Sequence, residues 1–149
     1  RVGAAADGVS GLIYIVEARQ YSIRVYDLEG RMVRRIRRPY ARVRLSKHEL
    51  AEVRSLPGQE GEDDVKSVAA ACLVDEDSRL WVRTMETRSS RGRKETAYDI
   101  FSQEGVYHAR VWLPVHPHFF RNGCMYTLEK TGDIQCRRIN WIGSTREKG

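Results

Sequence analysis

Three segments of the chain repeat one design, and this repetition limits the possible folds more than any single motif does. Each has a turn with Gly or Asp, an apolar–aromatic–apolar strand, a polar turn and a second strand. The segments are DGVSGLIYIVEARQYSIRVYDLEGRMVRRI (7–36), DEDSRLWVRTMETRSSRGRKETAYDIFSQEGVYHARVWL (75–113) and RNGCMYTLEKTGDIQCRRINWI (121–142). Their aromatic markers are Tyr14, Trp81 and Tyr126. Tyr126 follows Trp81 by 45 residues (126 − 81), but Trp81 follows Tyr14 by 67 (81 − 14), so the first interval carries an insertion. The second half recurs as well: VYDLEGRMVRRI (25–36) aligns with IFSQEGVYHARV (100–111), each with an acidic residue and glycine before a further strand.

Alternation of apolar and polar residues within the units predicts half-buried antiparallel strands. With Arg19 at the centre of the first turn, Ile13 is expected opposite Val25 and Ile15 opposite Ile23, giving one wholly β-branched face. The other face then carries Tyr14 opposite Arg24. A short strand leading into each turn, clearest in VAAACLVDED (68–77), completes four strands per unit. The expected fold class is all-β: antiparallel four-stranded meanders as about three β-propeller blades, with one short inserted helix. The blade units fall at about 1–38, 67–113 and 114–142, and residues 143–149 form a polar tail.

The insertion, residues 39–66, breaks the strand pattern. Pro39 stops one strand, and Ser46-Lys47-His48-Glu49 is a capping box that predicts a helix over about 46–55, with Leu50 and Val53 on its apolar side. Pro57-Gly58 ends it, and the acidic stretch Gln59–Asp64 forms a loop before the next strand.

At this point the chain resembles six-bladed propellers of the NHL or TolB-like kind, whose blades read D-x-x-G-x-I-Y-V, a polar turn, then R-I-x-V-F-D-x-x-G. The matching residues are Gly11-Leu12-Ile13-Tyr14-Ile15-Val16 with Ile23-Arg24-Val25-Tyr26-Asp27-Leu28-Glu29-Gly30, and Asp75-Glu76-Asp77-Ser78-Arg79-Leu80-Trp81-Val82. Ser78 stands where the turn glycine usually does, and the third unit lacks a leading Asp. The resemblance implies a non-catalytic binding or scaffold module, with a protein or small ligand as partner, no cofactor, and a bacterial extracytoplasmic or membrane-tethered setting. It also implies two alternatives: a metal-dependent lactonase-like hydrolase, and an RNA-binding propeller. Because a ring takes at least four blades, the expectation is the C-terminal part of a larger propeller whose missing blades lie upstream of Arg1.

Candidate sites were sought against this background. His116 and His118 form an H-x-H pair in a strand-like stretch, where i and i+2 point the same way, and are weak metal-ligand candidates. Glu17, Asp75, Glu86 and Glu129 lie near strand ends and are candidates for one acidic face. No nucleophile elbow, phosphate loop or zinc signature is present, so no catalytic residue is assigned. The formal charge of +6 arises partly from the run Arg31–Arg44, in which Arg34, Arg35, Arg37, Arg38, Arg42 and Arg44 are candidate contacts for a polyanion such as RNA. The competing reading is a charged outer strand, whose arginines discourage edge-to-edge pairing. Cys72, Cys124 and Cys136 show no CxxC spacing and are expected as free, mostly buried thiols. With Lys130 facing Asp133, Cys124 falls opposite Ile139 and Cys136 opposite Thr127, which disfavours a disulfide between them. No apolar run is long enough to span a membrane as a helix.

Overall fold

The computed structural model describes residues 2–40, 44, 46–54, 67–128 and 132–138. The alternation read from the sequence becomes three antiparallel meanders that follow one another along the chain. Sheet 1 has the order β1 (Val2–Asp7), β2 (Leu12–Glu17), β3 (Ser22–Tyr26) and β4 (Met32–Arg37). One helix, α1 (Lys47–Arg54), begins at the expected capping box, and the Leu50 N–H donates to the Ser46 carbonyl at 2.9 Å. Sheet 2 is β5 (Ala69–Val74), β6 (Leu80–Ser90), β7 (Arg93–Phe101) and β8 (Tyr107–Leu113). Sheet 3 is β9 (Pro117–Arg121), β10 (Cys124–Leu128) and β11 (Ile134–Arg138), with β10 in the middle. Among the described residues no helix is long and apolar enough to cross a membrane.

The sheets stack face to face. We call the face of each sheet that looks toward the next sheet its leading face and the opposite one its trailing face. Sheet 1 leads with Tyr14, Val16, Ile23, Val25 and Ile36, which bury against Val68, Ala69, Cys72, Leu80, Val82 and Phe101 on the trailing face of sheet 2. Sheet 2 leads with Trp81, Tyr98 and Ile100, which pack on Phe120 of sheet 3. The Trp81 and Phe120 rings lie 4.8 Å apart. Each fully buried apolar side chain in these seams contributes about 1.5–3 kcal/mol, so the seams are the core. The first strands converge: a Cβ on Gly3 of β1 would lie 2.9 Å from the Ala71 Cα of β5, too close for any side chain.

Two hairpin registers differ from expectation by one residue. Ile13 pairs with Tyr26, Tyr14 with Val25 and Val16 with Ile23, so the buried face is Tyr14/Val16/Ile23/Val25 rather than Ile13/Ile15. The cause is the turn: Glu17 pairs with Ser22 around four residues, an even loop, and Tyr21 closes it at φ 45°. In sheet 3, Cys124 pairs with Arg138 and Cys136 with Tyr126. The thiols are free, as expected, but only Cys72 is buried; Cys124 is half-buried and Cys136 exposed. Burial pushes the Cys72 thiol up to about 12.

The repeat is also a repeat of turns. Asp27, Asp75 and Ser102 each donate their N–H four residues ahead, to the carbonyls of Arg31, Arg79 and Val106 at 3.0, 3.0 and 2.8 Å. Each also accepts the N–H three residues ahead on its own carbonyl, and that third residue has positive φ: Gly30, Ser78 and Gly105. Their side chains cap the loops. Asp27 accepts the Arg31 N–H, Asp75 the N–H groups of Asp77 and Arg79, and Ser102 those of Glu104 and Val106. Asp75 also accepts from the Trp81 indole at 2.8 Å, fixing the marker ring from the turn before it. Ser78, in the glycine position, adopts φ 57° and is buried. Glu76 reaches the other way and accepts the N–H groups of Asn122 and Gly123 at 2.6 and 2.8 Å, capping the turn of the unit that lacks its own Asp.

Candidate functional site

Alternation along Ala97-Tyr98-Asp99-Ile100-Phe101 sends Tyr98 and Ile100 to the leading face of sheet 2 and Asp99 to the trailing face, into the seam with sheet 1. Asp99 is fully buried there. A bare carboxylate in such a place would cost several kcal/mol, so it needs donors. It has them from both sheets. Arg110 on β8 grips it with two nitrogens at 2.8 and 3.2 Å, and Tyr21 from the β2–β3 turn donates its hydroxyl at 2.5 Å. Arg38, just past β4, pairs with the same carboxylate. Burial alone would raise the Asp99 carboxyl, but the hydrogen bonds from Arg110, Tyr21 and Arg38 outweigh it and hold the group below its usual range.

The cluster extends outward. Arg110 also donates to Glu86 at 2.6 Å, and burial first, then the Glu86 charge, pushes the Tyr40 hydroxyl above the ordinary phenol value. The Tyr40 ring stacks on Tyr21 with centroids 6.0 Å apart, and the Arg38 guanidinium lies 4.3 Å above the Tyr107 ring. Desolvation, then the bond to Asp99, pushes the Tyr21 hydroxyl well above the ordinary phenol range. Beneath it the backbones are joined: Val68 and Ala69 both donate to the Ala18 carbonyl, at 2.6 and 3.3 Å.

Beside this cluster the seam opens as a cleft of about 290 Å³ lined by Arg19, Gln20, Ser22, Arg37, Tyr40 and Val68. Ser22 is 3% exposed, and its hydroxyl oxygen is buried with no hydrogen-bond partner among the described residues, which costs about 1–3 kcal/mol. With guanidinium groups at two of its walls, the cleft is suited to an anionic or strongly accepting group. Asp99, by contrast, has its oxygens committed to four donors and is not available as a general base.

No protein-family model and no curated protein matches the chain. The site is therefore described by its own geometry.

The arginine run does not form one surface. Its strand, β4, is the outer edge of sheet 1. Arg34 reaches across the seam to the Gln103 carbonyl at 2.5 Å, Arg35 is exposed beside Arg24 on the trailing face, Arg37 lines the cleft and Arg38 turns inward to Asp99. Arg44 is exposed in a single bridge, and Arg42 lies outside the described residues. His116 bonds through Nδ1 to the Tyr98 hydroxyl at 2.8 Å, and His118 Nδ1 lies 3.2 Å from the His116 carbonyl. Desolvation first, then the charge of Arg83, holds His116 below the ordinary imidazole value. Among the described residues no three His, Cys, Asp or Glu side chains gather as a metal site. The three described acids, Glu17, Asp75 and Glu86, do not share a face either. Glu17 pairs with Arg24, Glu86 with Arg110, and Asp75 sits in the turn at the opposite end of its sheet. Glu129 lies outside the described residues.

Spacing could not have found the Asp99 cluster, whose members Tyr21 and Asp99 are 78 positions apart. The one local signal was an acid inside the apolar strand AYDIF, since a charge in a strand buried on both faces demands partners from elsewhere.

Proposed function

We propose that the three meanders are blades of a propeller of the NHL or TolB-like kind, and that the chain works as a binding scaffold rather than a catalyst. The reading is supported by the unidirectional stack, in which one marker aromatic per sheet sits on the leading face: Tyr14, Trp81 and Tyr126. The observation that carries the binding role is the cleft in the seam, with Ser22, Arg19 and Arg37 in its lining. The Asp99 charges nearby are neutralised internally, so the cleft has a fixed frame, and its guanidinium groups suit recognition of a small anionic group.

Inorganic phosphate titrated at fixed ionic strength tests this by amide chemical shifts. The expected result is saturable shifts confined to residues 19–22, 37, 40 and 68, weakened at least tenfold by Arg37→Ser. Shifts spread evenly over the basic surface, or none at all, would overturn the assignment of the cleft.

A further inference from the structure

The β6–β7 hairpin of sheet 2 outruns its neighbours. On one side β5 stops pairing at Ala69 with Thr84, and on the other β8 stops at Leu113 with Thr96, but β6 and β7 stay paired out to Ser90 with Arg93. Residues 88–95, RSSRGRKE, therefore leave the sheet as a two-stranded ribbon, closed by Arg91 and Gly92 at φ 50° and 73°, the backbone of a two-residue hairpin turn. A lone ribbon is marginal in water. This one is braced at its base, where Arg88 pairs with Glu95 at 2.7 Å and lies 4.6 Å over the Trp112 ring. Four basic residues against one acid leave the ribbon at +3 (4 − 1). Arg91, Arg93 and Lys94 are exposed, and no ion-pair partner meets them among the described residues. Charges at a strand edge discourage pairing whatever their sign; three unopposed charges of one sign also attract an anion.

The ribbon rises at the end of the stack where the cleft opens. Val68, in the cleft lining, accepts the Met85 N–H at 3.2 Å, so the cleft wall and the foot of the ribbon are one hydrogen bond apart. Glu86 at that foot is neutralised by Arg110 at 2.6 Å. From Met85 to Ser90 the strand climbs roughly 16 Å at about 3.3 Å per residue. A single phosphate in the cleft cannot reach that far, whereas a chain of them can. Resting on the cleft reading above, we infer that the ligand is a linear polyphosphate, one end seated beside Arg37 and the following phosphates carried by Arg91, Arg93 and Lys94. Guanidinium forks match phosphate oxygens in pairs, and Ser89 and Ser90 add hydroxyl donors to the same ribbon. The segment RSSRGRKE has no aromatic ring on which a base could stack and no apolar side chain to enter a lipid surface, so a bare phosphate chain fits it better than nucleic acid or membrane. Two weak sites on one frame bind a chain that spans them more tightly than either binds alone.

Titration calorimetry on the full chain at fixed ionic strength tests this, with orthophosphate and long-chain inorganic polyphosphate as probes. The long chain is expected to bind at least about tenfold more tightly than orthophosphate. Arg91→Ser, Arg93→Ser and Lys94→Ser combined should remove that gain while leaving orthophosphate binding within about twofold of the parent, because the ribbon tip lies outside the cleft. Arg93→Ser alone should weaken the long chain several-fold, whereas Arg35→Ser, which takes the same charge from an exposed position on the trailing face of sheet 1, should leave it unchanged. A long chain no tighter than orthophosphate, or a gain that survives the triple substitution, overturns the inference. Equal losses from Arg35→Ser and Arg93→Ser would show diffuse attraction to a basic protein and overturn it too, as would tighter binding of a single-stranded oligonucleotide of equal charge. Orthophosphate shifts at the cleft without any gain from chain length remove the polyphosphate alone; absence of shifts at residues 19–22, 37, 40 and 68 removes the cleft and this ligand with it.

Discussion

Replacing Asp99 by Asn removes one charge from the centre of the seam and almost nothing from its volume. The carboxylate holds Tyr21, Arg38 and both nitrogens of Arg110, and no part of it meets solvent. The amide can accept through one oxygen only, and its NH₂ faces donors, so the Arg38 guanidinium loses the carboxylate it pairs with and Arg110 keeps only Glu86. Breaking a buried pair in this way costs about 3–5 kcal/mol, a large share of the roughly 5–15 kcal/mol that holds a domain together. At about 2–4 °C per kcal/mol for a chain of this size, the melting temperature should fall by roughly 6–20 °C. Urea unfolding of both proteins should give unchanged slopes and a lower midpoint for the variant.

The pH dependence adds a second constraint on the same variant. The Asp99 carboxyl is depressed in the folded protein, so its contribution is fully present above the unfolded value of about 3.9 and is lost as pH falls through the lower folded value. The gap between parent and Asp99→Asn should therefore be constant near neutrality and shrink in acid. A gap below about 1 kcal/mol at pH 7 would refute the cluster as a stabilising element. A gap that persists at acid pH would show that lost charge is not its cause.

Two further perturbations separate causes that usually travel together. Gly30→Ala places a side chain at φ 79° with open space around it, while Gly105→Ala adds, at φ 86°, a contact of 2.7 Å to Ile36 of the neighbouring sheet. The first should cost about 1–2 kcal/mol and the second at least 1–3 kcal/mol more by overpacking, as read by chemical denaturation; equal losses would mean that the turn does not press on sheet 1. Thiol labelling at neutral pH should proceed in the order Cys136 before Cys72, since Cys72 is buried with its thiol raised to about 12. Labelling of Cys72 in the folded state at the rate of Cys136 would contradict the seam.

Much of the architecture was legible because it is local. The meanders follow from alternation, α1 from Ser46 and Glu49, and the shared turn from the spacing of Asp27 to Gly30 and Ser102 to Gly105. Ser78 keeps that turn without the glycine, at φ 57°. The hairpin registers were not legible, since one residue of loop length reverses every side chain, and a tyrosine at positive φ leaves no compositional mark. The cleft and the Asp99 cluster were hidden for a different reason: both are made where two sheets meet, and which faces meet is decided by the stack, not by either unit alone. Contiguity in the sequence suggests one patch or one edge for the arginines of 31–44, yet the structure divides Arg34, Arg35, Arg37 and Arg38 among a carbonyl, an open surface, a cleft and a buried carboxylate.

The close approach of Gly3 to Ala71 has a geometric meaning of its own. At Gly3 and Ala71 the first strands of adjacent sheets touch backbone to backbone, while the outer strands are held apart by Ile36, Arg34 and the Gly105 turn. Thin at one margin and thick at the other, the pair of sheets 1 and 2 is a wedge, and the taper sets the angle between them. The glycine and alanines of VGAAAD and AAACLV thus act as a curvature gauge. A bulkier residue at position 3 would widen the thin margin and flatten the angle between these two sheets.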